Sequence, residues 1–272
     1  MESHELLGEI RNILSILPRD EAPEAYDYLS GLIVGDELFG DDPFIIANDL
    51  LNCDRPGPLP ETLREFIIDL YSAAYQSGNA DAMNDLGAQY YDGARGFEQD
   101  FTKAVTCYHL AALKGSRPAQ ENLGYCYYYG RNVPVDYQKA FHYFALGAFD
   151  GHPVSLYKIG DMYLNGYYVE KNPVEAFRIY THCLDIMTDE AAPAAAGPVF
   201  LRVGNAWLNG NGTEEDAKKA LVCFQKAEAF LYDMVADGEV MYKKSLQAAV
   251  DGQAKARAKL AAALPDRDWT HD

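Results

Sequence analysis

Ser155-Leu156-Tyr157-Lys158 is the segment of this 272-residue chain whose residue types best suit covalent chemistry. A serine three residues before a lysine matches the S-x-x-K motif of penicillin-recognising enzymes, in which the serine is the nucleophile. The S-D-N and K-T-G motifs that accompany it there do not occur in this sequence. A β-lactam-binding or hydrolase-like protein using Ser155 and Lys158 is therefore the alternative function, and a non-enzymatic function is favoured.

The histidines and cysteines do not form a recognisable metal or redox motif. The sequence has six histidines and five cysteines but no H-E-x-x-H and no C-x-x-C, the spacings typical of zinc and redox sites. The acidic run 35–42 lacks the alternating ligands of a calcium loop. Four cysteines lie in apolar helical runs and are predicted to be buried, inert thiols: Cys107, Cys126, Cys183 and Cys223. We predict no catalytic residue, no metal and no cofactor.

Charge and composition restrict the partners. The chain has 41 acidic and 23 basic residues, a formal net charge of −18, which disfavours nucleic acid because such binding requires Lys and Arg to replace counterions. The sequence has no apolar run of the length of a membrane span, and its first residues lack the features of a secretory signal. We expect a cytoplasmic protein whose partner is a protein or peptide, with no nucleic acid and no membrane.

The elements that must position these residues recur with a period of about 36 residues. An aliphatic residue followed by glycine starts the pattern, and the glycines are 37, 36 and 44 residues apart. They are Gly87, Gly124, Gly160 and Gly204. An aromatic residue follows each glycine by three positions, and a second glycine follows by six. After a short loop that ends in Asp or Asn comes an alanine, with an aromatic four residues later. The alanines are Ala104, Ala140, Ala176 and Ala220.

Each position of the pattern has a physical interpretation. Apolar residues at i, i+3, i+4 and i+7 predict two amphipathic helices per repeat. Glycine inside a helix costs about 1 kcal/mol relative to alanine, so its recurrence predicts close approach of the paired helix, with the alanines facing the glycines. The second glycine suits a left-handed helix end, and the Asp or Asn suits an N-cap. Pro118, Pro153 and Pro198 are predicted in the first turns of helices. Ser155 aligns with Ala82 and Ala119, as a small packing residue would.

This pattern resembles the Sel-one-like repeat (SLR) family, which is related to tetratricopeptide repeats. The resemblance implies an all-α fold, a right-handed α/α superhelical solenoid of four SLR helix pairs with N- and C-terminal capping helices. Glu175 departs from the usual lysine before the repeat alanine, and an Ala/Pro-rich insertion occupies 189–196. The predicted division is an acidic helical cap 1–60, a repeat array 61–232, and a C-terminal capping helix and tail 233–272. The array comprises a half-repeat 61–78 and repeats 79–115, 116–151, 152–190 and 197–232. In the caps we predict helices at about 3–17, 21–34, 43–52 and 239–264.

The same resemblance implies that the first helix of each pair faces a concave groove. Residues at helical spacing opposite the core glycines then form a polar stripe. Asp85, Ala88 and Asp92 represent it in the first repeat. The predicted binding residues are Asn122, Tyr125, Tyr129, Lys158, Asp161, Asn165, Arg202, Asn205 and Asn209. Amides can bind a peptide backbone, and Lys158 or Arg202 could bind a carboxylate.

The sequence thus predicts a non-enzymatic protein-interaction scaffold or adaptor. Residues 1–60 hold 13 acidic residues against three arginines, a net charge of −10, so this region is expected to attract a basic partner. An alternative is a structural element whose convex face assembles oligomers. The sequence leaves the oligomeric state open.

Overall fold

The computed structural model describes residues 2–40, 42–53, 57–187, 192–238 and 240–263. Apart from one short hairpin, these residues form helices and connecting turns. The chain divides into two compact units, residues 1–136 and 137–272. The division falls inside the segment predicted as the second repeat, between its two helices.

The first unit contains seven helices and one hairpin among the described residues. In chain order they are α1 (Ser3–Ile16), α2 (Pro23–Gly31), β1 (Ile33–Val34), β2 (Glu37–Leu38), α3 (Pro43–Asn52), α4 (Glu61–Gln76), α5 (Asp81–Asp92), α6 (Phe101–Leu113) and α7 (Arg117–Tyr129). From α3 to α7, each helix packs against the next. The helices expected at 3–17 and 43–52 are present. Asp42 caps α3 by accepting a hydrogen bond from the Phe44 amide.

The helix expected at 21–34 is shorter than predicted, because the chain turns into the hairpin after Gly31. Gly35 has a φ of +64°, the conformation that a tight hairpin turn requires and that glycine adopts without strain. The Arg11 guanidinium of α1 binds the Gly35 carbonyl at 3.0 Å and the Asp36 carboxylate at 2.9 Å. The acidic run 35–42 is therefore partly a hairpin that hydrogen bonds connect to α1.

The second unit contains six helices among the described residues. They are α8 (Tyr137–Phe149), α9 (Pro153–Asn165), α10 (Pro173–Ile186), α11 (Ala192–Asn209), α12 (Ala217–Ala236) and α13 (Lys243–Ala262), with a 3₁₀ turn (Val240–Tyr242) before α13. Consecutive helices pack together, and α12 packs against both α11 and α13. The helix expected at 239–264 thus corresponds to the turn plus α13. Residues 239 and 264 lie outside the described ranges.

Pro198 corrects one helix start. The sequence places it in a first turn, but it lies inside α11, which begins at Ala192. Part of the predicted insertion 189–196 is therefore helical backbone, while residues 188–191 lie outside the described ranges. Proline removes one backbone donor inside a helix. The Pro198 carbonyl, a separate group, accepts a hydrogen bond from the Arg202 guanidinium at 2.9 Å.

The repeat glycines allow an aromatic ring to lie directly against the helix backbone. A Cβ added at Gly87, Gly160 or Gly204 would stand 2.5–2.8 Å from a ring carbon of the paired helix, closer than packed atoms approach. The rings are those of Tyr108, Tyr180 and Phe224, four residues after the repeat alanines. The nearest neighbours of these three glycines are thus the aromatic rings one turn after the alanines. All four alanines are nevertheless buried: Ala104, Ala140, Ala176 and Ala220. Gly124 is buried as well.

The loop between the two helices of a repeat has one recurring geometry. The second glycine is left-handed in all four repeats, at Gly93, Gly130, Gly166 and Gly210. Two residues later the chain is left-handed again, at Arg95, Asn132, Tyr168 and Gly212. The Asp or Asn that ends the loop donates its amide to the carbonyl of the repeat aromatic, at 2.8–3.0 Å. Asp100, Asn172 and Asp216 then cap the following helix by accepting backbone amides, as predicted.

Candidate functional site

A pair of stacked tyrosines marks the exposed face of α7 in the first unit. Tyr125 and Tyr129 are one helical turn apart, and their rings lie 6.1 Å apart and tilted by only 10°. Tyr128 packs edge-on against Tyr129 at 4.9 Å. Tyr129 remains 49% exposed. The helix therefore presents two ordered aromatic rings whose hydroxyls can also take part in hydrogen bonds.

Asn122, the third predicted residue of α7, belongs to a polar seam. Its amide donates to Asn84 of α5 at 2.9 Å, and Asn84 donates to the Asp85 carboxylate at 3.2 Å. Burial raises the pKa of Asp85, with the nearby charge of Asp81 adding to the shift and the hydrogen bonds from Asn84 and Asn48 opposing it. This seam joins α5 to α7, the first helices of two repeats. It occupies the side chains of Asn122 and Asp85, which belong to the predicted stripe.

Asp161 and Arg202 form a two-bond ion pair in the second unit. Two guanidinium nitrogens of Arg202 on α11 bind the two carboxylate oxygens of Asp161 on α9, each at 2.6 Å. Tyr180 of α10 donates to the same carboxylate at 2.8 Å. Burial alone would lower the pKa of Arg202, but the charge and hydrogen bonds of Asp161 outweigh it and raise the pKa. The carboxylate next to Arg202 is thus supplied by the chain itself.

Lys158 is also largely removed from solvent. It is 5% exposed, and its ammonium lies 5.6 Å from the centre of the Tyr157 ring. A ligand carboxylate would have to compete with Asp161 for Arg202 and reach a buried Lys158. Sequence reasoning did not predict this, because helical phase places Asp161 and Arg202 on the same stripe but does not reveal the distance between neighbouring helices.

The asparagines of the predicted stripe in the second unit stay at the surface. Asn165, Asn205 and Asn209 are exposed. Asn165 donates to the Asp161 carbonyl at 2.7 Å and Asn209 to the Asn205 carbonyl at 2.9 Å. Each of these bonds orients an amide along its own helix. The first-helix face of α9 and α11 therefore offers fixed amides to a ligand.

Ser155 does not have the surroundings of a nucleophile. Its side chain is 0% exposed, and a Cβ added at Gly147 of α8 would lie 2.3 Å from its hydroxyl oxygen. The hydroxyl has no hydrogen-bond partner among the described residues. Ser155 occupies the place of the equally buried Ala82 and Ala119, so a substrate carbonyl cannot reach it in this packing. The geometry gives the β-lactam or hydrolase alternative no support.

The cysteines are poorly suited to reaction. Burial raises the pKa of Cys107 and Cys126 to about 11 and that of Cys183 to about 12, which keeps these thiols protonated at neutral pH. Cys223 is half-buried, and all five cysteines are free thiols.

Neither a metal site nor a membrane span is found in the described part of the chain. Within it, no three His, Cys, Asp or Glu side chains converge in a way that could hold a metal ion. Across the same ranges, no helix combines the length and apolar composition that crossing a bilayer requires.

Arg95 is a residue whose importance sequence reasoning missed. It follows Gly93, the second glycine of the first repeat, by two positions, has a φ of +57°, and directs its guanidinium at the C-terminal end of α3. There it donates to the Leu51 carbonyl at 3.1 Å and to the Cys53 and Gly57 carbonyls. A cation at a helix C-terminus is favourable, so Arg95 joins the N-terminal helices to the first repeat. An arginine between the small residues Ala94 and Gly96 is the available sequence signal.

These features together define a class: a protein built from stacked antiparallel helix pairs of about 36 residues, with ordered polar and aromatic residues on the first helices. The family model described as Sel1 repeat matches residues 80–116, 117–152, 153–181 and 201–229. The chain therefore carries four Sel1 repeats and belongs to the Sel1-repeat family.

Relatives and solved structures agree with this assignment. Mouse protein sel-1 homolog 2 is 28% identical over 59% of this chain and 22% of its own length. The Arabidopsis thaliana ERAD-associated E3 ubiquitin-protein ligase component HRD3B is 36% identical over 36% of this chain and 15% of its own length. This chain thus spans less than a quarter of either relative. The crystal structure of a Sel1 repeat protein from Oxalobacter formigenes shares the fold, with a TM-score of 0.56 and 20% identity over 82% of this chain and 84% of that one.

Proposed function

We propose that this protein is a non-enzymatic adaptor that binds partner proteins through the first helices of its repeats. Each unit would contribute its own face, α5 with α7 in the first unit and α9 with α11 in the second. The observation that carries the proposal is the stacked pair Tyr125 and Tyr129 on α7, of which Tyr125 is half-buried and Tyr129 is exposed. HRD3B is by its name an E3 ubiquitin-protein ligase component, and a relative that is a component of an assembly supports an adaptor function here.

The tyrosine pair has the properties of an interaction anchor. Tyrosine offers a large amphipathic surface with few rotatable bonds, so little conformational entropy is lost on binding. Because the two rings already stack on each other and Tyr129 also packs edge-on against Tyr128, part of that entropy is lost before the partner arrives. Aromatic residues in such positions commonly dominate binding energy at interfaces.

In the second unit the proposal relies on amides rather than on cations. Asn165, Asn205 and Asn209 are exposed on the predicted stripe, and amides can both donate to and accept from a peptide backbone. Arg202 would act mainly by fixing α11 to α9 through Asp161. A carboxylate-bearing ligand remains possible only if it displaces Asp161 from Arg202.

A peptide selection tests the proposal directly. Random 12-residue peptides displayed on phage are selected against the purified full chain, and the affinity of each enriched peptide is measured by fluorescence anisotropy. We expect the double substitution Tyr125→Ala/Tyr129→Ala to weaken binding at least tenfold, about 1.4 kcal/mol. The matched control is Tyr232→Ala, which removes a 63% exposed tyrosine from α12, a second helix.

Circular dichroism establishes that each variant is folded before affinities are compared. Enrichment of no peptide from the library would overturn the proposed function. Peptides that bind the tyrosine double variant as tightly as the original chain would overturn the assignment of the tyrosine face.

A further inference from the structure

A small apolar cavity lies between α9, α10 and α11 in the second unit. Its volume is about 80 Å³. The lining residues are Leu164, Pro173, Phe177, Tyr180, Arg202, Asn205, Ala206 and Asn211. Asn205 and Asn211 are exposed, whereas Leu164 and Phe177 are half-buried and Ala206 is buried. The cavity therefore has an apolar floor and two amides at its rim.

We propose that this cavity receives a small branched aliphatic side chain, such as valine, from an extended peptide segment of the partner. The inference rests on the proposed adaptor function and specifies what the face of α9 and α11 recognises. Three observations carry it, namely the volume, the chemistry of the floor and the position of the amides.

The volume selects the type of side chain. An apolar cavity of about 150 Å³ is known to accept benzene, so one of about 80 Å³ is too small for an aromatic ring. A branched group of three or four carbon atoms fits. Water gains little there, because a stable buried water needs two to four polar partners and the floor offers Leu164, Phe177 and Ala206. Filling the cavity with an aliphatic group instead restores van der Waals contacts on all sides.

The rim selects the backbone conformation. Asn205 and Asn211 stand at the mouth, where each amide can donate to a carbonyl and accept from an N–H. A helical ligand has already paired these groups internally, whereas an extended segment has not. Asn211 follows Gly210, whose φ is positive, and the backbone N–H of Asn211 donates to the Ala206 carbonyl at 3.0 Å. These two features fix the backbone of Asn211. The anchor side chain and the flanking peptide bonds are therefore recognised by neighbouring parts of one rigid frame.

The wall of the cavity is stabilised independently of any ligand. Arg202 and Tyr180, which both line it, are bound to the Asp161 carboxylate. Phe177 packs edge-on against Trp207 at 5.2 Å between ring centres. These contacts connect all three helices around the cavity, so it is present before a peptide arrives.

The test uses N-acetyl-L-valine N′-methylamide, a probe with one aliphatic side chain between two peptide bonds. It is titrated into the full chain and followed by methyl and side-chain amide NMR. We expect saturable shifts of the Leu164 and Ala206 methyl signals and of the Asn205 amide. The glycine analogue of the probe, which lacks the side chain, should require at least tenfold higher concentration for the same shifts.

Two variants make the test specific. Ala206→Leu fills the cavity and should abolish the shifts. Phe177→Leu enlarges it and should allow the phenylalanine analogue to bind, which keeps the test informative if the filled variant does not fold. Equal shifts with the glycine and valine probes, or no saturable shift at these residues, would overturn the inference. Peptides from the phage selection that lose affinity for the Ala206→Leu variant but show no aliphatic preference would overturn it too, while leaving the adaptor function intact.

Discussion

At the residue scale, the repeat glycines determine how closely two helices can approach. Gly87, Gly160 and Gly204 each lie under an aromatic ring of the paired helix, where even one methyl group would collide. The cost of glycine in a helix, about 1 kcal/mol, is offset by burial of the whole ring. Tyr108, Tyr180 and Phe224 are at most 2% exposed, so each ring contributes its full apolar surface to the core.

Gly87→Ala should destabilise the first unit by roughly 1–3 kcal/mol, the usual cost of overpacking a core. The new Cβ would lie 2.7 Å from a ring carbon of Tyr108 and 3.2 Å from the Cβ of Cys107. Thermal unfolding measured by circular dichroism checks this. The matched control is Gly8→Ala in α1 of the same unit, where no atom lies within 4 Å.

The control should be slightly more stable than the original chain, because only the helix propensity of alanine changes there. A Gly87→Ala variant as stable as the Gly8→Ala control would contradict the packing role.

At the element scale, the bond between Asp161 and Arg202 connects the first helices of two successive repeats, α9 and α11. Asp161 also binds Tyr180 of α10, so one carboxylate fixes three helices. The side chains of Asp161 and Arg202 are 12% and 23% exposed. Solvent therefore screens their charges little, and the loss of either partner is costly. Repeat proteins depend on such contacts between neighbours for their cooperativity.

Asp161→Ala should therefore destabilise the second unit by about 3 kcal/mol or more, since it leaves Arg202 without its carboxylate. The double substitution Asp161→Leu/Arg202→Met should cost much less, because apolar replacement of a buried ion pair is often close to neutral. Urea unfolding followed by the fluorescence of Trp207, in a Trp269→Phe background that leaves one tryptophan, measures both.

If the Asp161→Ala variant and the Asp161→Leu/Arg202→Met variant had the same free energy of unfolding, the ion pair would not be what fixes α9 to α11.

At the scale of the whole molecule, the charge is unevenly distributed. Residues 1–60 carry a net charge of −10 out of −18, and acidic residues of α1 and the following turn, such as Glu9, Asp20 and Glu21, are exposed. A concentration of one sign steers oppositely charged partners and accelerates their association. We propose that this region attracts basic segments of partner proteins.

Binding of a fluorescent octalysine peptide, used as a basic probe, should be detectable at low ionic strength and lost near 1 M salt, where the Debye length is about 3 Å. The variant Glu9→Gln/Asp20→Asn/Glu21→Gln should weaken binding several-fold. The matched control Glu170→Gln/Glu214→Gln/Asp237→Asn removes the same charge from exposed sites of the second unit. Anisotropy measures both. Equal weakening by the two triple variants would mean that only the total charge matters.

The sequence alone determined the repeat and most of its local structure. Glycine just after a helix, Asp or Asn at helix starts and apolar residues at helical spacing are properties of single segments, so they can be interpreted without knowing what packs against them. This is why the left-handed glycines and the caps at Asp100, Asn172 and Asp216 were predicted correctly. The hairpin after Gly31 and the early start of α11 were not, since local patterns compete there with similar propensities.

Only the tertiary structure decided which polar residues of the stripe are buried or paired within the chain. Asp161 and Arg202 lie 41 positions apart, and no periodicity reveals that two stripe residues of neighbouring repeats meet at 2.6 Å. The burial of Lys158, the role of Arg95 and the cavity beside Ala206 have the same origin. They depend on distances between helices, which are set by side-chain volumes over the whole core and not by the order of residues in one segment.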